Sequence, residues 1–406
     1  MLFRSTWYLT SFVLDDLLPR LKCLRVLSLN GYKITELPHF FENLKHLRHV
    51  DFSNTNIKCL PDSLCTLYHL ETLILRECRQ LEKLPSEISN LMELHYLDIS
   101  GSNSIKGMPF GVGKLTNLQR LSNFILGEGD GHHIRELKNL SNLRGDFCLS
   151  GLKNVKCEDA REAKLKEKSG IDRLTLQWSS ASDFDFELDS NSDNDTRKKE
   201  DEERVLDFLH PQKKLEQLII ENYGGAKFSA WISDSSFKNL LSLKLRNCKN
   251  CKPLPSMGKL PKLKDLSISG FNEVNEVGVE FFGENQPNAF ASLETLYFRD
   301  MPNWKEWDPC EVDEQVSKFP SLRELYIRNC PQLIGRLPNL LHSLQKLEIA
   351  NCTQLVVSIS SFPSLRKLRI NECEELVDRC SVEVISLQSV SSFDISKSST
   401  SPPFGT

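Results

Sequence analysis

Cysteine is the residue whose recurrence first suggests chemistry in this sequence. Nearly the same thirteen letters return three times, each with cysteine in tenth place: SLRELYIRNCPQL from Ser321, SLQKLEIANCTQL from Ser343 and SLRKLRINECEEL from Ser364. A catalytic thiolate works singly beside a base, and a zinc site gathers several ligands at one point. Equal spacing along the chain suits neither chemistry, so we predict that these cysteines are structural.

Two further groups contain residue types that can bind a metal ion. Cys248 and Cys251 form a lone C-x-x-C, whereas a zinc knuckle needs a second such pair or paired histidines nearby. His132 and His133 follow Asp130 in a Gly-rich stretch, a composition more typical of a solvated loop than of a ligand set. We therefore predict no metal site.

Phosphate-binding and catalytic patterns are equally weak. The segments GVGKL at Gly111 and MGKL at Met257 have leucine after the lysine and the wrong spacing to an earlier glycine, so neither matches a phosphate loop. No serine, cysteine or carboxylate pair has the spacing of a catalytic dyad, although a triad scattered over the chain would leave no such signal. The prediction is a protein without cofactor or small-molecule substrate, with an enzyme as the minority alternative.

The elements that must position these residues are repeats. The segments LRVLSLNGYKITELP from Leu24, LRHVDFSNTNIKCLP from Leu47, LETLILRECRQLEKLP from Leu70 and LHYLDISGSNSIKGMP from Leu94 follow one another at steps of 23, 23 and 24 residues. This is the leucine-rich-repeat pattern L-x-x-L-x-L-x-x-N/C-x-L. The alternation L-x-L places two apolar side chains on one face of a short strand, and stacked repeats bury that face together.

The repeat explains the cysteines. Cys78, Cys248, Cys330, Cys352 and Cys373 each lie eight residues after the first leucine of a repeat. A small side chain turns inward at this position to satisfy backbone groups in the turn after the strand. Tyr32, Thr55 and Ser102 occupy the same position in other repeats.

Length and composition set the broad class. The chain has 406 residues, 39% of them hydrophobic and 26% charged, and a formal net charge of −4. This near-neutral charge does not favour nucleic acid as a partner. No run approaches the roughly 18 to 20 apolar residues of a membrane helix, and no secretory leader is visible. With 13 cysteines, an odd number, the expectation is a cytoplasmic or nucleo-cytoplasmic protein with reduced thiols that binds no membrane.

The predicted fold class is an α/β leucine-rich-repeat solenoid, with a parallel sheet on the concave side and loops and short helices on the convex side. A short charged helix is expected between residues 157 and 170, ended by Gly170. The stretch 179–204 has ten acidic residues and almost no aliphatic ones, so we expect disorder there. The predicted domains are an N-terminal cap 1–20, repeats 21–126, degenerate repeats with the charged helix 127–178, a disordered acidic insertion 179–204, repeats 205–396 and a loose tail 397–406.

Strand residues between the leucines should point away from the core and form the recognition surface. Basic and aromatic residues accumulate there in the C-terminal repeats: Lys244, Arg246, Tyr297, Arg299, Arg323, Tyr326, Arg328, Arg366, Lys367 and Arg369. Tyrosine and arginine are enriched at interface hot spots, although a solvent-facing strand carries polar residues in any case. Because these side chains lie outside the predicted core, reversing the charge of Arg299 and Arg328 should affect stability little.

Several phrases outside the repeat consensus carry a family resemblance. They are LLPRLKCLRVLSLNGYKITELP, IRELKNLSNLRGDFCLSGLKNV, AREAKLKEK, VLDFLHPQKKLEQLIIENYGG, LPSMGKLPKLKDLSI and MPNWKEW. In this order, over about residues 10 to 380, they resemble the leucine-rich region of plant intracellular disease-resistance proteins of the coiled-coil NB-ARC type. Where that family usually has F-P-x-W, this chain has Phe228-Ser229-Ala230-Trp231.

The resemblance implies a non-enzymatic role in plant innate immunity. Such a repeat region would bind a protein, either a pathogen effector or a guarded host protein, and would restrain the NB-ARC domain where that domain is present. No NB-ARC phosphate loop occurs in this sequence. The alternatives are a leucine-rich-repeat adaptor of a ubiquitin ligase, which would need an F-box-like segment, and a general interaction scaffold.

Overall fold

The computed structural model describes residues 16–37, 39–179, 192–283, 289–307, 317–335, 337–338, 340–355, 357, 362–373 and 391–396. The chain divides into two compact units. The first unit is Met1–Leu188 together with Phe208–Gln212, and the second is Asp189–Asp207 together with Lys213–Thr406. The predicted tail 397–406 and most of the predicted N-terminal cap lie outside the described residues.

Parallel strands form the first unit. Within its described residues the strands are β1 Val26–Ser28, β2 His49–Asp51, β3 Thr72–Ile74, β4 Tyr96–Asp98, β5 Arg120–Leu121, β6 Asn123–Ile125, β7 Arg144–Ser150 and β8 Gly170–Gln177. Strands β1 to β5 pair in sequence order, and β6, β7 and β8 pair likewise, all of them parallel. Each of the first four begins two residues after the leucine that opens its repeat, as the L-x-x-L-x-L pattern predicts.

The second unit repeats this arrangement. Its described strands are β9 Gln217–Glu221, β10 Ser242–Arg246, β11 Asp265–Ser269, β12 Glu276–Val277, β13 Thr295–Arg299, β14 Glu306–Trp307, β15 Glu324–Arg328, β16 Lys346–Ala350, β17 Lys367–Asn371 and β18 Ser392–Ser396. Strands β9, β10, β11, β13, β15, β16, β17 and β18 form one parallel sheet in that order, and β12 pairs with β14. The predicted leucine-rich-repeat solenoid is therefore confirmed as the fold class.

Short helices connect the strands. The α-helices are α1 Cys157–Glu162, α2 Ser192–Phe208 and α3 Val279–Phe282. The 3-10 turns are Leu18–Arg20, His39–Asn43, Asp62–Thr66, Ile88–Asn90, Val112–Lys114, Gly131–Asn139, Leu152–Asn154, Leu165–Glu167, Ala230–Ser233 and Met257–Lys259. Except for α2 and Gly131–Asn139, these helices have at most six residues, which fits the short return path that a repeat of this length leaves.

The charged helix expected between residues 157 and 170 is much shorter than predicted. It ends at Glu162, and Lys164 adopts a left-handed backbone with φ of 51°. Gly170 begins strand β8 instead of ending a helix. Ala160 and Leu165 are buried, so the chain turns at Lys164 to bring both against the repeat core.

Disorder over the whole acidic stretch 179–204 was the wrong expectation. Residues 180–191 lie outside the described residues, but helix α2 begins at Ser192 and continues to Phe208. Its C-terminal part is anchored by Val205 and Leu206, which are buried. The carboxylates of Glu202 and Glu203 also accept hydrogen bonds from backbone N–H groups in the turn 224–227, at 2.7 to 3.1 Å. Burial and these bonds offset the ordering entropy that the acidic composition alone would not.

One backbone feature recurs after the first seven strands of the second unit's main sheet, β9, β10, β11, β13, β15, β16 and β17. The residue that follows the strand has a positive φ: Asn222, Asn247, Gly270, Asp300, Asn329, Asn351 and Glu372. This left-handed residue reverses the chain direction, and asparagine and glycine tolerate it best. The next residue is thereby aimed into the core, which is where the recurring cysteines lie.

The cysteine ladder is confirmed as structural. All five predicted ladder cysteines are buried, and the described residues contain no disulfide. The Cys78 thiol donates to the Phe52 carbonyl at 3.0 Å, and the Cys352 backbone N–H donates to the Cys373 sulfur at 3.3 Å. The side chain at this position thus joins one repeat to the next.

Candidate protein-binding surface

Strand residues alternate between the core and solvent in the second unit. In β15, Leu325 and Ile327 are buried, whereas Glu324, Tyr326 and Arg328 are partly exposed. Parallel register brings equivalent residues side by side, for example Tyr297 with Tyr326. We call the solvent-facing side of this sheet the open face; it comprises the first, third and fifth residues of each strand and the residue just before the strand.

All ten predicted surface residues lie on this open face. Eight are on strands: Lys244 and Arg246 on β10, Tyr297 and Arg299 on β13, Tyr326 and Arg328 on β15, and Lys367 and Arg369 on β17. Arg323 and Arg366 come directly before β15 and β17. The register brings together Tyr297, Tyr326, Arg299 and Arg328, whereas β11 separates them from Lys244 and Arg246, and β16 separates them from Lys367 and Arg369.

Two tyrosines form the centre of this face. The ring centroids of Tyr297 and Tyr326 are 5.7 Å apart, and the Arg328 guanidinium carbon is 5.8 Å from the Tyr297 ring. On the other side, Lys346 Nζ lies 4.7 Å from the Tyr326 ring centroid and donates to its hydroxyl at 2.8 Å. Partial burial, followed by the hydrogen bond to Glu324, raises the pKa of Tyr326. We call Tyr297 and Tyr326 the tyrosine pair.

Neighbouring carboxylates neutralise most of the arginines, a pairing that the spacing within one repeat does not indicate. Arg246 pairs with Glu221 at 2.7 Å, Arg299 with Asp300 at 3.0 Å, Arg328 with Glu348, and Arg369 with Asp394 at 2.9 Å. Three of these partners are on an adjacent strand, so the pairing follows from register between repeats that lie 20 to 25 residues apart. The face is a mixed surface and not a uniformly basic one.

The surroundings of Arg328 argue against the expectation that reversing its charge affects stability little. Its partner Glu348 points toward the open face by alternation, yet the Glu348 side chain is only 5% exposed. Replacing Arg328 with glutamate would place two carboxylates together in a partly buried site, which is strongly unfavourable. Arg299 and its partner Asp300 are both about half exposed, so charge reversal at Arg299 remains a clean surface change.

A polar cleft of about 360 Å³ opens beside the predicted residue Arg323. The carboxylate of Glu294 lies 2.8 Å from Lys264 Nζ and 3.8 Å from Arg323. The hydrogen bond from Lys264 is the main cause of the lowered pKa of Glu294. The hydroxyls of Ser292 and Ser321, which also line the cleft, donate to backbone carbonyls of the preceding repeat at 2.8 Å. The cleft is thus a solvent-open extension of the open face.

The chemical motifs considered from sequence have structural explanations in the fold. Burial raises the pKa of Cys248 to about 12 and that of Cys251 well above its ordinary value, so both thiols are held protonated. In the GVGKL segment, the backbone N–H groups of Gly111 and Gly113 donate to the carboxylate of Glu136 at 2.9 and 2.7 Å. An internal carboxylate thus occupies the donors that a phosphate would need.

The paired histidines and the two tryptophans of the MPNWKEW phrase also have structural explanations. The rings of His132 and His133 are 4.3 Å apart, and within the described residues no three histidine, cysteine or acidic side chains gather as metal ligands would. Trp304 and Trp307, in the MPNWKEW phrase, are buried. Their ring centroids lie 4.8 and 5.3 Å from the ring centroid of Phe298. They are packing residues and do not form an exposed patch.

Comparison with known proteins identifies the class. Residues 134–271 match the family of R13L1/DRL21 leucine-rich repeats, residues 226–353 the RPS2-like leucine-rich repeats of plant disease resistance proteins, and residues 38–124 the Zer-1-like leucine-rich repeats. An internalin structure from Listeria monocytogenes, 16% identical, superimposes with a TM-score of 0.50 over 92% of this chain and 87% of its own. That likeness shows the fold alone.

The more specific similarity is to named plant proteins. A disease resistance protein of Arabidopsis thaliana is 40% identical over 86% of this chain, and disease resistance RPP13-like protein 1 of the same species is 39% identical over 85%. The chain belongs to the leucine-rich repeats of plant disease-resistance proteins. It spans 24% and 33% of the length of these two relatives. In the part of the chain that the structure describes, no helix combines the length and apolarity needed to cross a membrane.

Proposed function

We propose that this chain is a non-enzymatic recognition scaffold of plant immunity, which binds a pathogen effector or a guarded host protein in the cytoplasm. The observation that carries the proposal is the 40% identity to a disease resistance protein over most of the chain. In a longer gene product, the same repeats would restrain a nucleotide-binding domain, as the resemblance implies.

The binding site in this proposal is the open face of the second unit. Tyrosine contributes rigid amphipathic area at low entropic cost, and such anchors dominate the energetics of protein interfaces. Arg328 and Lys346 hold the tyrosine pair in place before a partner arrives. Preorganisation of this kind reduces the ordering cost of binding.

The test uses the full chain expressed in plant tissue, followed by binding measurements with each purified candidate partner. Changing Tyr297→Ala and Tyr326→Ala together should weaken binding by about thirtyfold or more, as expected for hot-spot tyrosines. The matched control is Tyr96→Ala, a partly exposed tyrosine on a strand of the first unit. A partner that binds the wild type and the double variant equally well would contradict the proposed site.

Immune function is tested separately by following pathogen growth in plants that carry either chain. Plants with the double variant should be as susceptible as plants that lack the gene, whereas the Tyr96→Ala chain should retain resistance. Equal resistance with both variants would contradict the proposed role of the tyrosine pair in immunity.

A further inference from the structure

The positive charges of the open face are not evenly neutralised. On β10, β13 and β15 the arginines are paired with carboxylates, as described above. On β17 and directly before it, Arg366 and Lys367 are exposed and form no ion pair within the described residues. Arg369 completes this group and pairs with Asp394, in an exposed pair of little energetic weight. We call Arg366, Lys367 and Arg369 the basic cluster.

The neighbouring strand β16 places one cation and one carboxylate beside this cluster, and the carboxylate, Glu348, pairs with Arg328. Parallel register places Lys346 of β16 directly beside Lys367 of β17, and like charges at such positions repel each other. Lys346 Nζ donates a hydrogen bond to the hydroxyl of Tyr326. This hydrogen bond is the main cause of the raised pKa of Lys346. The Tyr326 hydroxyl in turn donates a hydrogen bond to the carboxylate of Glu324 on β15. Within the described residues, the cations at 366 and 367 thus have no carboxylate of their own.

The basic cluster lies a fixed distance from the tyrosine pair. Tyr326 and Arg369 occupy the same strand position, with only β16 between their strands. Neighbouring strands are about 4.8 Å apart, so the two groups are separated by about 10 Å. Three residues of extended chain cover the same distance.

We propose that the open face binds an extended acidic segment of a partner protein. Carboxylates of this segment contact the basic cluster, and an apolar or aromatic side chain three or four residues away rests on the tyrosine pair. This inference rests on the proposed function, because it names the chemistry of the partner at the same site. Attraction between exposed cations and acidic side chains raises the association rate and makes affinity sensitive to salt.

The probe is a labelled synthetic peptide that contains two glutamates three residues before a phenylalanine, repeated twice. Its binding to the full chain is followed by fluorescence anisotropy at low and at high salt. The wild type should bind this peptide more weakly as salt is raised, and should not bind a version with lysine in place of glutamate. Changing Arg366→Glu and Lys367→Glu together should reduce affinity at least about tenfold.

The control variant carries Lys83→Glu and Lys106→Glu, two exposed lysines outside the strands of the first unit. It should bind the peptide like the wild type. The milder pair Arg366→Gln and Lys367→Gln gives the same test if the reversed variant does not fold. Absence of peptide binding up to about 1 mM, or equal binding by both reversed variants, would overturn the acidic segment as ligand.

The two proposals fail in different ways. If the tyrosine variants lose binding to a protein partner but the basic-cluster variants keep it, the proposed function stands and the acidic-segment inference is overturned. If neither set of variants affects the protein partner, the open face is not the recognition site and both proposals fail.

Discussion

The two units are built from the same repeat pattern but use its solvent-facing strand positions differently. In the first unit, the side chain of Asp98 of β4 is only 3% exposed. Its carboxylate accepts hydrogen bonds from Ser100, Tyr96 and Arg76. In the same way, the carboxylate of Asp51 of β2 accepts a hydrogen bond from the backbone N–H of Ser53 at 2.9 Å. These carboxylates hold the turn after the strand. The equivalent positions of β13 and β15 carry the tyrosine pair, which holds no turn and faces solvent.

The difference shows that one strand position can serve stability in one repeat and binding in another. An aspartate followed two residues later by serine satisfies the backbone locally, as an Asx motif does. In the second unit, asparagines at the left-handed position help to link the repeats, since Asn351 donates to Asn329 and Asn329 to Asp300. The strand positions are thereby left for side chains that can contact a partner.

Core leucines of the two units should contribute equally to stability, and their replacement should have the largest effect on the free energy of unfolding. Leu73 in the first unit and Leu325 in the second are completely buried. Changing either to alanine should lower the free energy of unfolding by about 2 to 5 kcal/mol because a cavity remains. Cys330→Ser, a small change in the ladder, should cost only about 1 kcal/mol. Urea unfolding measures all three, and a larger loss for Cys330→Ser would mean that this sulfur is bonded or ligated.

Ion pairs on the open face should differ according to burial. Arg328→Ala leaves Glu348 nearly buried without its partner and should cost about 2 kcal/mol. Arg369→Ala breaks a pair whose side chains are both 52% exposed and should cost less than about 0.5 kcal/mol. The double variant with Arg328→Ala and Glu348→Ala serves as a control and should recover part of the loss. Equal losses at Arg328 and Arg369 would show that burial of Glu348 has no energetic consequence.

Asp98 in the first unit should make a pH-dependent contribution to the stability of the fold. Burial opposes ionisation of Asp98, but the hydrogen bonds from Ser100 and Arg76 outweigh it and lower its pKa below the ordinary value. Such a group stabilises the fold fully above the unfolded-state pKa of about 3.9 and loses this effect as pH falls through the lower folded value. Asp98→Asn should therefore be less stable than wild type at pH 7, and the difference should shrink below about pH 4. A constant difference between pH 7 and pH 3 would rule out this ionic contribution.

The smallest effect concerns the turn where the family's proline is replaced by serine. Ser229 has φ of −63°, the angle that a proline ring imposes, and its backbone N–H makes no hydrogen bond within the described residues. Ser229→Pro should raise the free energy of unfolding by about 0.4 to 1 kcal/mol by restricting the unfolded chain. Ser233→Pro, at the end of the same 3-10 turn, is the contrasting control and should not stabilise. A loss of stability in Ser229→Pro would show that the turn needs the serine itself.

The sequence predicts those parts of the structure that depend on local spacing. Leucine alternation places the strands, and the positions eight residues after the opening leucines identify the buried cysteines. The Asn-Cys pairs at 247, 329 and 351 also contain the signal for the left-handed residue, which pattern reading could have found. Helix α2 was missed because its anchors, Glu202 and Glu203, bond to a turn some 22 to 24 residues further along the chain.

The candidate surface could be predicted only in part, for a similar reason. Alternation correctly assigns Tyr326 and Arg369 to the open face. It does not reveal that Glu348 is buried beside Arg328, or that Lys346 turns onto Tyr326, because both depend on side chains brought together from different repeats. Pairing between repeats therefore determines which charges remain available to a partner.

The central claim is that recognition occurs on the open face of the second unit and not on the corresponding face of the first. A photo-crosslinking amino acid can be placed at Tyr326 in one chain and at Tyr96 in another, and each chain irradiated with the purified partner. We expect crosslinks from position 326 that disappear when unlabelled wild-type chain is added in excess, and none from position 96. Crosslinking from position 96 alone, or equally from both, would contradict the account.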